Sequence, residues 1–255
     1  MKALQNAVGR KGVSLLVFLG LVSMISAAHA EAAAGKGAVS GVVKYDGPAP
    51  KVTFIKMNAD PKCIAIHGDK KVAHEEEVVG VAGEVKNVFV YIKAGLKAEK
   101  YPVPAEPAVI DQKECMYVPR VQGMIAGQKL NVVNSDPLSH NIRCFAKVNK
   151  TFNIGQPKEG TREKLMDKPE HAIKFKCDIH GWMFAYIFVM EHPYFAVTGA
   201  DGAFKIENLP PGEYTLAAWH EVYGEQEMKV KVGEGAPAKA SFVFKRMKET
   251  AQATP

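Results

Sequence analysis

The segment Cys177-Asp178-Ile179-His180-Gly181-Trp182-Met183 limits this chain more than any other, because it sets a thiol, an imidazole and a thioether at three-residue intervals. Upstream, Asn134-Ser135-Asp136-Pro137-Leu138-Ser139-His140-Asn141 supplies a second imidazole, His140. A thiolate is soft and imidazole is borderline, so the set favours copper or zinc over calcium or magnesium. Zinc normally takes four strong ligands in a tetrahedron, and a Met thioether is a poor one. Two His and one Cys in a plane with a weak axial Met is instead the donor set of a blue-copper centre. In such a site Cys177 is the strong sulfur ligand, His140 and His180 supply nitrogens, and Met183 is axial. Three donors on one loop and a fourth on another require two strand ends held rigidly side by side.

The rest of the chain reads as strand and turn. Val39–Tyr45 alternates and stops at Asp46-Gly47-Pro48, and Val85–Ile92 is rich in β-branched and aromatic residues. Gly127–Asn134 leads into the first ligand loop, His171–Lys176 enters the second, and Phe184–Met190 leaves it. Strands punctuated this often by Gly and Pro predict an all-β chain, a sandwich or barrel. Thr161–Lys168 is the best short helix candidate, inside a charged stretch, Pro157–Pro169, that reads as a mobile surface loop. Beyond His192 the texture changes. Asp201-Gly202 and Pro210-Pro211-Gly212 punctuate short strands and predict two close hairpins.

The first thirty residues have the form of an export signal. Lys2, Arg10 and Lys11 precede an apolar run, Val13–Ala27, and Ala28-His29-Ala30 has the small-x-small cleavage pattern. About fifteen apolar residues are short for a membrane span. The expectation is a cleaved signal peptide, a bacterial periplasmic location and no stable membrane insertion. The remaining chain of about 225 residues suffices for one large or two small domains. The signal carries three of the 33 Lys and Arg and none of the 27 Asp and Glu, so the net charge of +6 falls to +3 without it. That modest excess argues for neither nucleic acid nor an anionic membrane as partner.

Four cysteines enter an oxidising compartment: Cys63, Cys115, Cys144 and Cys177. With Cys177 on copper, three remain and one must stay unpaired or pair between chains. The preferred pair is Cys63 with Cys115, since both precede the copper segment and each follows a polar, turn-like stretch, although spacing alone leaves the connectivity open. Cys144 reads as a small buried apolar residue. His67, His74, His171, His192 and His220 read as solvated or locally hydrogen-bonded, with His67 near Cys63 the one candidate for a second metal site.

The ligand segments resemble the cupredoxins, and the tight His-x-x-Met spacing is similar to that of amicyanin rather than of plastocyanin or azurin. The resemblance covers roughly residues 85–190. It implies a Greek-key β-sandwich; His140, Cys177, His180 and Met183 as copper ligands; and Asn141 as the residue behind them that ties the two loops together. It also implies an electron port at the His180 edge, flanked by Gly181 and Trp182. The pattern Thr198–Leu216, with Gly41-Val42-Val43-x-Tyr45-x-Gly47, resembles a carboxypeptidase regulatory-like, transthyretin-like sandwich, which implies a second small antiparallel sandwich used as scaffold or partner contact. The expected organisation is a signal at 1–30, N-terminal strands at 38–84 that belong with the small sandwich, a copper domain at 85–192, the regulatory-like domain at 193–245 and a frayed tail at 246–255. Trp219-His220-Glu221 reads as a strand end with a packed Trp.

The function expected is a type 1 copper protein passing single electrons between periplasmic redox proteins, such as a c-type cytochrome or a dehydrogenase. Two alternatives use the same ligands: a copper chaperone or store, and an envelope binding protein with a structural copper. A carrier would yield Cu(I) readily to a chelator, whereas a shuttle would hold it. No Ser/His/Asp set, paired carboxylates or phosphate loop occurs, and four ligands leave no open position for substrate, so the chain is not expected to be an enzyme.

Overall fold

A computed structural model describes residues 36–58 and 60–245. The expected signal at 1–30 and tail at 246–255 lie outside the described residues. Strands covered on both faces decide the architecture. In β2 (Phe89–Ala94) the run Phe89 to Ile92 is buried throughout, and β1 (Gly37–Tyr45) and β14 (Gly212–His220) each bury consecutive small or apolar residues, Ala38 and Val39 in one and Leu216 to Ala218 in the other. The described regular structure is all-β apart from one short helix, α1 (Pro61–His67).

Four sheets form. Sheet one runs β13 (Ala203–Leu209), β1, β16 (Ala238–Lys239), with β17 (Phe242–Phe244) also on β1. Sheet two runs β12 (Phe195–Val197), β2, β14, β15 (Gly224–Val232). Sheet three runs β4 (Met116–Val118), β3 (Ala108–Lys113), β6 (Lys129–Asn134), β9 (Gly160–Leu165). Sheet four runs β5 (Val121–Ile125), β11 (Phe184–Met190), β10 (Glu170–Lys176), β7 (His140–Cys144), β8 (Phe152–Gln156).

Three cores separate them into four layers. Ile110, Leu130 and Val132 of sheet three meet Ile142, Phe175 and Ile187 of sheet four in the core beneath the ligand loops. Val90, Ile92 and Leu216 of sheet two meet Val43, Ile206 and Phe242 of sheet one. Between them, Phe89, Tyr91 and Ala217 of sheet two pack on Val121, Phe188 and Met190 of sheet four. Phe89 stacks on Phe188 with centroids 3.9 Å apart. Burying each such ring contributes about 1.5–3 kcal/mol. Gly123 on β5 lets the layers close, since a Cβ there would stand 2.5 Å from Phe195 and 2.8 Å from Phe89.

Several expectations need correction. Thr161–Lys168 is not helical. Gly160–Leu165 is strand β9, paired antiparallel along the whole of β6, and Lys129 meets Glu163 across the pair at 3.1 Å. The helix-forming residues Arg162, Glu163 and Lys164 are overridden because the β6 edge needs hydrogen-bond partners. The Asp201-Gly202 turn makes no hairpin, since β12 pairs with β2 and β13 with β1, and neither does Pro210-Pro211-Gly212: β13 pairs with β1 while β14 pairs with β2 and β15, so the chain crosses between sheets there. Tyr214 fixes this crossing by donating its hydroxyl to the Pro210 carbonyl at 2.7 Å. The small sandwich is not wholly antiparallel, since β1 runs parallel to both β16 and β17. Strand β2, read from sequence with the copper segment, pairs with β12 and β14.

Candidate metal centre

Both ligand loops leave sheet ends over the core between sheets three and four. Asn134 ends β6 with its side chain turned inward and organises the first loop. Its Nδ2 donates to the carbonyls of Leu138 (2.9 Å), Gln156 (3.1 Å) and Lys158 (3.1 Å), and its Oδ1 accepts from Asp136 N at 3.1 Å. His140 then opens β7. The second loop joins β10 to β11 and is closed by backbone bonds from Cys177 N to Met183 O (3.0 Å) and from Met183 N to His180 O (2.9 Å).

His140, Cys177, His180 and Met183 are all fully buried. The ligand atoms of His140, Cys177 and His180 lie within 4.8 Å of one another. His140 Nδ1 is 3.0 Å from His180 Nδ1, and Cys177 Sγ is 3.7 Å from His180 Nδ1. Bonds of about 2.0–2.1 Å to nitrogen and about 2.3 Å to sulfur, set in a trigonal plane, separate N from S by about 3.8 Å. The sulfur–nitrogen distance fits such an ion, and the two imidazoles stand slightly closer than it requires.

Burial pushes the Cys177 thiol up, but hydrogen bonds with His140 and His180 and from backbone N–H groups outweigh it and bring the pKa to about 6. The site therefore presents a thiolate near neutrality, the form that binds metal. Burial pushes the buried Asp136 carboxyl up as well, but His140 and the N–H groups of Cys115 and Glu114 hold it below the usual range. His140 rises above its ordinary value, because Asp136 and Cys177 outweigh burial.

Both imidazoles are gripped from behind. Asp136 Oδ2 lies 2.7 Å from His140 Nε2, and the same carboxylate accepts from Glu114 N (2.7 Å) and Cys115 N (2.8 Å). Asp60 Oδ2 lies 3.1 Å from His180 Nε2. Carboxylates in these places fix each tautomer so that Nδ1 is the free ligand atom. Asn141 bonds to the Cys177 loop from β7. Its Oδ1 accepts from Asp178 N (2.6 Å) and Ile179 N (3.3 Å) and sits 3.3 Å from Cys177 Sγ, while its Nδ2 donates to Asn153 Oδ1 at 2.7 Å.

The His180 edge, expected as electron port, lies under a cover. His180 is fully buried, with Asp60 and Cys63 Sγ (3.7 Å) against its Nε2 and the Trp182 ring 5.2 Å away. The cover is α1, which Asp60 N-caps by accepting from Lys62 N at 2.8 Å. Cys63 of this helix forms a disulfide with Cys115, and Trp182 Nε1 donates to the Cys115 carbonyl at 3.0 Å. Sequence reasoning missed Asp60 and Asp136. Asp60-Pro61 carries a helix N-cap signal, but nothing in it reveals that the helix docks on a residue 120 positions away.

The other candidates have local roles. His67 Nε2 is 2.8 Å from the Glu114 carbonyl, which pins the far end of α1. His74 pairs with Glu76 at 3.4 Å. His171 meets Tyr91 at 3.5 Å, and the nitrogen of His192 accepts from Tyr194 N at 3.3 Å. Trp219 packs edge-on against Tyr186 and Phe188, with centroids 5.0 and 5.1 Å away. Cys144 is a free thiol buried in the core, which pushes it up to about 11.

No family model matches the sequence, and no curated protein does. Among solved structures, the chain is similar to a Cu-containing nitrite reductase from Thermus scotoductus SA-01, with 16% identity, TM-score 0.33, and 39% of this chain against 26% of that one. It thus spans about a quarter of the reductase. It is similar to a purple cupredoxin from Nitrosopumilus maritimus (20% identity, TM-score 0.28, 32% of this chain, 99% of that one). It is also similar to amicyanin from Paracoccus versutus (16%, TM-score 0.31, 40% of this chain, 97% of that one). Among the described residues no helix is long and apolar enough to cross a membrane.

Proposed function

We propose that this chain is an exported type 1 copper protein of the periplasm that passes single electrons between redox proteins, such as a c-type cytochrome and a dehydrogenase. The observation that carries the reading is the convergence of His140 Nδ1, Cys177 Sγ and His180 Nδ1 in a fully buried cluster. When bound, copper would supply the one-electron couple. The chain supplies the rest. Cys177 would offer a thiolate, His140 and His180 would offer nitrogens whose orientation Asp136 and Asp60 hold, and Met183, buried on the same loop, would offer its thioether sulfur. Asn141 locks the Cys177 loop to β7, so the donors keep one arrangement in both oxidation states. The enclosing core excludes water and the side reactions water would bring. The small sandwich, with its resemblance to carboxypeptidase regulatory-like domains, serves as scaffold.

The cover on His180 favours retention of the metal over its transfer. The test is an optical spectrum of the Cu(II)-loaded mature protein and of Cys177→Ser. Intense visible thiolate-to-Cu(II) absorption in the wild type, lost in the variant, is expected. A colourless Cu(II)-loaded wild type overturns the reading. Rapid loss of Cu(I) to a chelator points instead to copper handling.

A further inference from the structure

The buried His180 edge means that an electron must cross whatever covers it. The cover is one excursion of the chain, residues 51–73, whose ends are held together by bonds from Ile55 N to Val72 O (2.8 Å) and from His74 N to Thr53 O (2.9 Å). At its centre α1 leaves apolar side chains in contact with water. Of its seven residues only Cys63 is buried, while Ile64 is 45% and Ile66 36% exposed. Phe54 and Val52 earlier in the excursion, and Ile179 on the ligand loop, are exposed too. Apolar side chains concentrated on a small exposed element mark an interaction surface. The helix is held by its covalent tie to Cys115, by Asp60 against His180 and by His67 against Glu114, so its outer face is left to a partner.

The charge around that face has a sign. Lys51, Lys56, Lys62, Lys70 and Lys71 are all exposed on the excursion. Of its two acids, Asp69 is exposed and Asp60 is turned inward onto His180. Nearby, Lys113 and Glu114 are both exposed neighbours on one turn, and Asp178 is 3.8 Å from Arg143 and accepts from Asn153 at 2.9 Å. The rim is therefore rich in lysine. Two contacts lead from the imidazole into this helix: Asp60 Oδ2 at its N-cap, 3.1 Å from His180 Nε2, and Cys63 Sγ inside it, 3.7 Å away.

We propose, resting on the electron-transfer reading, that the 51–73 excursion is the electron port and that its partner is a redox protein with an apolar centre inside an acidic rim. One electron crosses between His180 and the partner's redox centre through the Asp60 and Cys63 contacts and α1. No bond forms or breaks and no proton moves. Opposite charges on the two rims speed the encounter, and the apolar centres of the two surfaces seat the complex.

The test uses cytochrome c in two forms, native with its lysines and succinylated so that those lysines carry carboxylates. Stopped-flow rates of electron exchange are measured with the copper-loaded wild type, with Lys62→Glu/Lys70→Glu/Lys71→Glu, and with a control of equal charge change on the small sandwich, Lys229→Glu/Lys231→Glu/Lys239→Glu. The wild type should react faster with the succinylated form, with rates that fall as salt rises. The 62/70/71 variant should lose roughly tenfold or more of that rate and the control less than about twofold. Equal losses in both variants, or a wild type that prefers native cytochrome c, overturn the port. The visible absorption of each sample is recorded first. Its absence in the wild type sinks the copper reading itself, whereas its presence with indifferent rates sinks only the port.

Discussion

Asp136 Oδ2 lies 2.7 Å from His140 Nε2, four residues along one loop, with both side chains almost wholly buried. The carboxylate is anchored by two further backbone donors, Glu114 N and Cys115 N. It cannot swing away, so the imidazole it holds is aimed before any metal arrives. That aim depends on sheet three, because Glu114 and Cys115 form the turn between β3 and β4. The loop that supplies one ligand is thus braced by a turn that supplies none.

Asp136→Asn should keep the fold and weaken copper binding. The amide can still donate or accept one hydrogen bond, but it no longer fixes the His140 tautomer. Loss of such a partner typically costs 10- to 100-fold in metal affinity, and about that loss is expected here. Competition against a chelator of known affinity measures it. Unchanged affinity would show that β7 alone aims His140.

The ligand residues were readable because donor chemistry is carried by residue type and spacing: Cys177, His180 and Met183 lie within seven positions and need no tertiary information to be noticed. The strands around them were readable for the same reason, since the β-branched and aromatic content of Val85–Ile92 and the turn residues that bound such runs are local signals. What sits behind the ligands was not. Asp60 reaches His180 across 120 positions of sequence, and the covering helix is held by one buried residue, Cys63. The strand β9 escaped because Thr161-Arg162-Glu163-Lys164-Leu165 has helix-favouring residues and its true determinant is the unpaired edge of β6. The crossing at Pro210-Pro211 escaped because a turn signal tells where the chain bends and not which sheet it enters next.

The disulfide should matter for both stability and metal retention. Cys63 and Cys115 enclose 52 residues of sequence separation, and closing a loop of that size stabilises by about 4 kcal/mol in the chain-entropy account. Cys63→Ser/Cys115→Ser should lose stability of that order in urea titrations. Its copper-loaded form should also give up Cu(I) to a chelator faster than the wild type, because α1 loses its single buried anchor over His180. A variant that is less stable but releases metal at the wild-type rate would show that Asp60 and His67 suffice to hold the cover.

His220 makes the small sandwich sensitive to acid at a place remote from the metal centre. Its ring is 1% exposed and stacks on Tyr223 with centroids 4.6 Å apart. Its Nδ1 accepts from Val222 N at 3.2 Å and Tyr223 N at 3.4 Å, so the folded protein needs the neutral imidazole. Burial first, and the Arg120 charge second, push its pKa from 6.5 down to about 4. A base whose folded pKa is depressed binds its proton more readily when unfolded, so stability falls as pH drops from 6.5 towards 4. Between those limits the loss reaches at most about 3 kcal/mol. The neighbouring Glu221, held 2.9 Å from Arg120 at two points, is pushed up chiefly by burial and acts in the opposite direction. The informative quantity is therefore the difference between wild type and His220→Gln. Urea unfolding of the metal-free proteins at pH 7 and pH 4.5 should show the wild type losing more stability than the variant across that interval. Equal losses in the two proteins would mean that His220 is protonated in the folded state without cost, contrary to the geometry of its two backbone donors.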